Sequence, residues 1–374
     1  MNNPVILFRF HDSLAICRER IKLLRALNPG VPVYGVYGGP AEGFELAHSA
    51  LGDLLADLQI TEQHEPFWHW LHMDLDVKHW FRKVGRSVEF DFLFDHEWDL
   101  LTTDALTTIF PDIGQDAIAL CSLTELTPDV EDTWRWTSWP EHRPDYERFL
   151  DYMSKTFGMG PLRYASHGPG TLLSRSFLER FAEVEDVEMV ISEIKYPAFA
   201  QVLGFDVVNN KFRTGPLTDH GEDAYFNSDD KPIAFARVVS ELLKPGGRRA
   251  FHPVKYQFTL SQLRALVWRG ESAGEDDASR SAASEQLEAA LDRETELRAL
   301  LAQARSGEAE LRALLAQARS GEAELRAALA ELRAALAELR AALAERDASL
   351  QAIQRTRAWR LVTKWWELKR RLSR

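Results

Sequence analysis

The opening forty residues change hydrophobic period twice. Val5-Ile6-Leu7-Phe8-Arg9-Phe10 is a short apolar run, the pattern of a strand buried in a sheet. Leu14, Cys17, Ile21, Leu24 and Leu27 then fall on one helical stripe behind Asp12 or Ser13 as N-cap, and Asn28-Pro29-Gly30 stops the helix. Pro32-Val33-Tyr34-Gly35-Val36-Tyr37 returns to strand and ends at Gly38-Gly39. Strand, helix and strand in this order predict a parallel β-α-β unit. Its carboxyl ends share one edge, where ligands of open α/β sheets bind. Phe10, His11, Asp12, Tyr37, Gly38 and Gly39 are therefore candidate substrate-binding residues. Farther on, 75–82 reads as a helix ended by Gly85. The segment from Asp95 to Asp104 reads as an apolar core element closing in a carboxylate, a place to hold a cation. Asp76 and Asp99 join the candidate substrate-binding set.

Near Gly270 the pattern changes again. Residues 269–284 carry no apolar periodicity and read as a flexible acidic linker after a globular part, 1–268. Over 285–354 a fourteen-residue unit beginning at Glu296 recurs and then shortens to seven. Leu325, Leu329, Leu332, Leu336, Leu339 and Leu343 alternate in steps of four and three, and the frame runs on to Leu350 and Ile353. This predicts a long α-helical coiled coil that holds copies of the chain together. Glu308 and Glu322 interrupt its core, and Gly307 and Gly321 weaken the helix. Residues 355–374 place Ala358, Leu361, Val362, Trp365, Leu368 and Leu372 on one stripe and most of the basic residues off it. A basic amphipathic helix with Trp359, Trp365 and Trp366 suits an anionic membrane surface; the same stripe also suits a partner helix or the globular part.

Composition narrows the function. The net charge is −12, and the last twenty residues hold eight Arg or Lys against Glu367, so the remainder carries −19 and repels polyanions. Nucleic acid is not expected as a partner. Two cysteines, Cys17 and Cys121, make no disulfide framework. Together with an N-terminus that lacks a signal peptide and a chain that lacks a long apolar run, they predict a cytoplasmic protein, peripheral at most to the inner membrane face. Neither a Gly-x-Gly-x-x-Gly turn nor a P-loop is present, which disfavours dehydrogenases and P-loop NTPases.

Several segments carry a resemblance. These are Arg9-Phe10-His11-Asp12, the helix from Arg18 to Asn28 running into Val33 to Gly39, Trp98-Asp99-Leu100-Leu101-Thr102-Thr103-Asp104, Gly168 to Leu178, and Ser192-Glu193-Ile194 through Phe205. Together, over 1–258, they resemble a bacterial glycosyltransferase of the GT-A type, and Arg357-Ala358-Trp359-Arg360-Leu361 is similar to the tails of cell-surface polysaccharide enzymes. The resemblance implies a Rossmann-like mixed sheet flanked by helices, a UDP- or GDP-sugar donor and a glycan or lipid-linked acceptor. It also implies Mg²⁺ or Mn²⁺ on a short acidic motif, here reduced to Asp104 because Thr102 stands two positions earlier. His252 would complete metal or diphosphate binding, Lys255 would meet phosphate, and Glu193 or Asp206 would be the catalytic base. Read without the resemblance, Asp104 is an N-cap before Ala105-Leu106. A catalytically inactive scaffold of a polysaccharide pathway, oligomerised by its coil, is the alternative to an enzyme.

Overall fold

The computed structural model describes residues 2–213, 217, 223–227, 231–271, 326, 329 and 332–372. The chain divides into two compact units, Met1–Arg280 and Ser281–Arg374.

The first unit is built on strands β1 (Pro4–Phe10), β2 (Val33–Tyr37), β3 (Asp57–Ile60), β4 (Phe92–Glu97), β5 (Leu101–Thr102), β6 (Ala117–Glu125), β7 (Tyr164–Ser174), β8 (Asp206–Asn209) and β9 (Ala250–Phe251). Seven of them form one sheet in the order β3-β2-β1-β4-β7-β6-β8, and β5 pairs with β9 apart from it. In the large sheet β7 runs antiparallel to both its neighbours, and the remaining pairs are parallel. This is the expected α/β class, a mixed sheet flanked by helices. The β-α-β unit is present as read, with Ile6 opposite Val33 and Phe10 opposite Tyr37.

Each face of the sheet buries its own core. The helix Leu14–Leu27 sets Cys17, Ile21 and Leu24 against Ile6, Phe8, Phe92 and Phe94. On the other face Val5, Leu7, Leu93 and Leu173 meet side chains from the helices Met73–Lys83, Arg143–Phe157, Arg175–Phe181 and Ser192–Leu203. Alternation along the strands is what divides these residues between the faces. Three charged side chains of Met73–Lys83 are buried as well, and each has a partner: Asp74 with Lys195 at 2.7 Å, Asp76 with His69 at 2.9 Å, and Lys78 with Asp186 at 2.9 Å.

Two local expectations differ from the structure. Ser13 is the N-cap of Leu14–Leu27 but sits in the left-handed region at φ 57° and makes no side-chain cap, while the Asp12 carboxylate accepts the Ser13 amide. The helix Leu260–Glu271 enters the segment expected to be linker, because Leu263 and Leu266 anchor it in a third core with Val238 and Phe258. The rest of 269–284, and the coil as far as 325, lie outside the described residues.

In the second unit 332–355 is helical. At Thr356 the helix breaks; the Thr356 hydroxyl accepts the Trp359 amide at 3.2 Å and so caps the next helix, Arg357–Leu372. Leu332, Leu336, Leu339, Leu343, Leu350 and Ile353 are all exposed on this unit.

Candidate active site

The carboxyl ends of β1, β2 and β4 open into a cleft of about 880 Å³. Its acidic group comes from the turn that follows β4. Glu97 ends the strand, the Trp98 amide bonds the Arg9 carbonyl at 3.0 Å, and the Val254 amide bonds the Asp99 carbonyl at 2.7 Å. The backbone thus ties together β1, the end of β4 and the segment after β9, bringing Glu97, Asp99 and His252 to one place. One donor atom of each lies within 4.8 Å of the others.

The donors are oriented by their neighbours. His252 Nδ1 donates to the Asn227 carbonyl at 2.8 Å, which turns Nε2 toward the acids, 3.5 Å from Glu97 and 3.4 Å from Asp99. Those gaps are long for a hydrogen bond but near the spacing of about 3 Å between adjacent ligands of a cation with bonds of about 2.1 Å. Two carboxylates and one imidazole are a donor set that suits Mg²⁺ or, with its nitrogen, Mn²⁺. The residues therefore fit the ion implied by the resemblance. Arg9 secures the other side of Glu97: its guanidinium takes Asp95 at 2.6 and 3.1 Å and Glu97 at 3.0 Å.

Electrostatics follows from this geometry. Burial alone would lower the His252 pKa, but Asp99 and then Glu97 outweigh it and raise it to about 10. Both acids are in turn held below their usual range. Burial opposes ionisation in each, and the His252 contact together with Arg9 at Glu97, or Lys255 at Asp99, overcomes it. Without a metal the three groups are a compensated ion cluster. A cation bound here would take the place of the imidazolium proton.

Glu193 reaches the same cleft from a distant stretch of sequence. It lies in the first turn of Ser192–Leu203, where Pro197 cannot donate the helical hydrogen bond to the Glu193 carbonyl. The Ser166 hydroxyl on β7 donates to that carbonyl instead, at 3.2 Å. The Gly168 amide donates to Glu193 Oε1 at 3.0 Å, with His167 Nδ1 at 3.2 Å. The Arg213 guanidinium faces His167 Nε2, so that nitrogen accepts and Nδ1 carries the proton given to Glu193. Among the described residues Glu193 Oε2 is buried without a hydrogen-bond partner. The carboxylate is therefore fixed by one oxygen, while the other makes no hydrogen bond among the described residues.

His69 is the remaining polar group of note. Its Nδ1 faces both Asp76 oxygens at 2.9 Å and its Nε2 faces the Gln63 carbonyl at 2.9 Å. Gly38 packs on the ring so closely that a Cβ there would stand 2.7 Å from it.

The cleft brings together Phe10, His11, Gly38, Asp76, Asp99, Glu193, His252 and Lys255 from the residues read in the sequence. It does not include the other five. Asp104 is outside the lining; its Oδ1 accepts the Ala105 amide at 2.8 Å, but the N-cap of the short helix Leu106–Ile109 is Ala105, without a side-chain cap, and the Leu106 amide is taken by Asn28 Oδ1, so the cap expected at Asp104 falls one residue later. Asp206 is exposed at the start of β8, opposite Ala117 at the start of β6, and so stands on the amino edge of the sheet. Tyr37 points into the core on the face of Leu14–Leu27, packed on Phe10 and Phe44. Gly39 lies against the Tyr37 ring, and Asp12 is turned to the Ser13 amide.

Glu97 and Arg9 are cleft residues that the sequence reading passed over. Glu97-Trp98-Asp99 has two carboxylates with one residue between them, the spacing sought at Thr102 and Asp104 but placed five residues earlier.

No protein-family model matches the chain, and the search of curated proteins finds no match. Solved structures similar to part of it are glycosyltransferases. Galactosyltransferase LgtC in complex with donor and acceptor sugar analogues is 14% identical over 55% of this chain and 72% of that one, with a TM-score of 0.31. The bifunctional glycosyltransferase WbbM is 12% identical over 72% of this chain and 50% of that one, at 0.34. Mouse xyloside xylosyltransferase 1 is 12% identical over 54% and 81%, at 0.29. At these scores the likeness decides nothing about chemistry, which rests on the cleft itself.

Proposed function

We propose that the first unit is a glycosyltransferase that moves a sugar from a UDP- or GDP-sugar onto a glycan or lipid-linked acceptor. The observation that carries the reading is the convergence, in one cleft, of the Glu97, Asp99 and His252 ligand atoms with the Glu193 carboxylate, one oxygen of which has no hydrogen-bond partner among the described residues. Glu97, Asp99 and His252 would hold Mg²⁺ or Mn²⁺, which when bound neutralises the charge developing on a leaving diphosphate. Lys255, beside the Trp98 ring at 5.8 Å, adds a cation near the phosphates. Arg9 keeps Glu97 ionised and in place. Glu193 accepts the proton of the acceptor hydroxyl through Oε2.

The test is calorimetric titration of UDP- and GDP-sugars with and without Mn²⁺, followed by donor hydrolysis. Wild-type protein should bind one donor class in a metal-dependent way, and Asp99→Asn should lose that binding. Donor binding that survives in Asp99→Asn, or no binding of either class to the wild type, sinks the proposal.

We also propose that the second unit joins copies through its exposed leucines and that its basic helix lies on an anionic membrane at the cytoplasmic face. Among the described residues no helix is long and apolar enough to cross a membrane.

A further inference from the structure

One lip of the cleft is aromatic and exposed. The helix Pro66–Leu71 presents Phe67 and Trp70 three positions apart, with ring centroids 5.4 Å from each other, and Trp70 stands 5.4 Å from Trp136. Phe67 is 58% exposed and Trp70 37%, whereas Trp136 is buried and anchors the row. The Arg135 guanidinium lies 4.6 Å over Trp136 and 5.5 Å from the Trp70 ring. Phe67, Trp70 and Arg135 line the same cleft as Glu193.

Large rings left in water at the mouth of a polar cleft mark a binding surface. Its chemistry selects the occupant. A lipid tail needs a continuous apolar groove, but here a guanidinium crosses the rings and the Glu65 and Glu193 carboxylates share the lining. A pyranose needs this mixture, because its C–H face stacks on an aromatic ring while its hydroxyls donate to carboxylates and accept from a guanidinium. The two exposed rings follow one another along the lip at 5.4 Å, with Trp136 packed behind Trp70.

We propose that Phe67, Trp70 and Arg135 form an acceptor shelf for an oligosaccharide of at least two units, which leads its terminal hydroxyl to Glu193. This rests on the transferase reading and adds the acceptor class to it.

The test uses the full chain on an array of immobilised di- to hexasaccharides. Wild-type protein should be retained by at least one glycan and not by the matching monosaccharide. Trp70→Ala should weaken retention by about tenfold or more, a loss on the order of 1.4 kcal/mol, and Trp70→Phe should recover most of it. Thermal melts of each variant report whether it folds. Loss of retention by a folded Trp70→Ala together with recovery in Trp70→Phe supports the shelf. No glycan retaining the wild type, or equal retention of Trp70→Ala, overturns it. So does an effect of Trp70→Ala confined to binding of neutral phosphatidylcholine vesicles or to self-association in light scattering. Donor titration of the wild type separates the two claims: donor bound and no glycan retained removes the shelf alone, and glycan retained without any donor bound removes the transferase.

Discussion

At the scale of single residues, the site divides acids of similar appearance by what holds them. Asp99 faces an imidazole across a gap of cation size, and Asp104 holds a backbone amide. Asp99→Asn should therefore abolish metal-dependent donor hydrolysis. Asp104→Ala should cost about 1 kcal/mol of stability, the usual net worth of one intramolecular hydrogen bond, with hydrolysis retained. Chemical denaturation and a hydrolysis assay on both variants check the contrast. The Glu97-Trp98-Asp99 spacing was legible in the sequence, since two acids one residue apart after an apolar run suffice to suggest it. Asp104, which closes the same segment, offers the same sequence pattern of an acid after apolar residues, and only the fold separates the two. The setting of the Glu193 carboxylate was not legible, because it depends on the Gly168 amide and the Ser166 hydroxyl of another element.

At the scale of elements, the cleft depends on two helices held together by buried charge. Lys195 on Ser192–Leu203 meets Asp74 on Met73–Lys83 at 2.7 Å, both essentially without exposure. Lys195 also donates to the Val187 carbonyl at 3.0 Å. Removing one member leaves an uncompensated buried charge, so Lys195→Met should destabilise the first unit by roughly 3–5 kcal/mol, measurable by urea denaturation. A different charge centre, Asp186, joins Met73–Lys83 to the loop before Ser192–Leu203 through Lys78, His79 and Arg82. Burial acts to raise its carboxyl, but the bonds from His79, Lys78 and Arg82 prevail and hold it well below the usual range. A depressed folded pKa gives stability that is present above the unfolded value of about 3.9 and lost as pH falls through the folded one. The melting temperature of Asp186→Asn should lie below wild type at pH 7, and the two curves should converge under acid conditions. The β-α-β unit was readable because its two periods are local. The place of β8 was not, because a four-residue strand does not state its direction within a sheet, and that direction put Asp206 on the far edge.

At the scale of the whole molecule, the sequence showed two kinds of matter, a mixed sheet domain and a heptad rod, because period and composition change together near Gly270. Removal of 285–354 should convert the protein to a monomer in sedimentation equilibrium. Removal of 355–374 should abolish binding to vesicles rich in anionic lipid and spare activity on a soluble acceptor, so equal binding by the shortened chain refutes the anchoring role. The row of bare leucines from Leu332 to Leu343 has a further consequence. If copies meet there as proposed, that surface is sheltered and mass action would make the helicity of 332–355 a function of how much protein is present. Circular dichroism on a dilution series should then show the helical signal fade as the chains part, which would make the segment after the cleft-bearing unit a gauge of abundance.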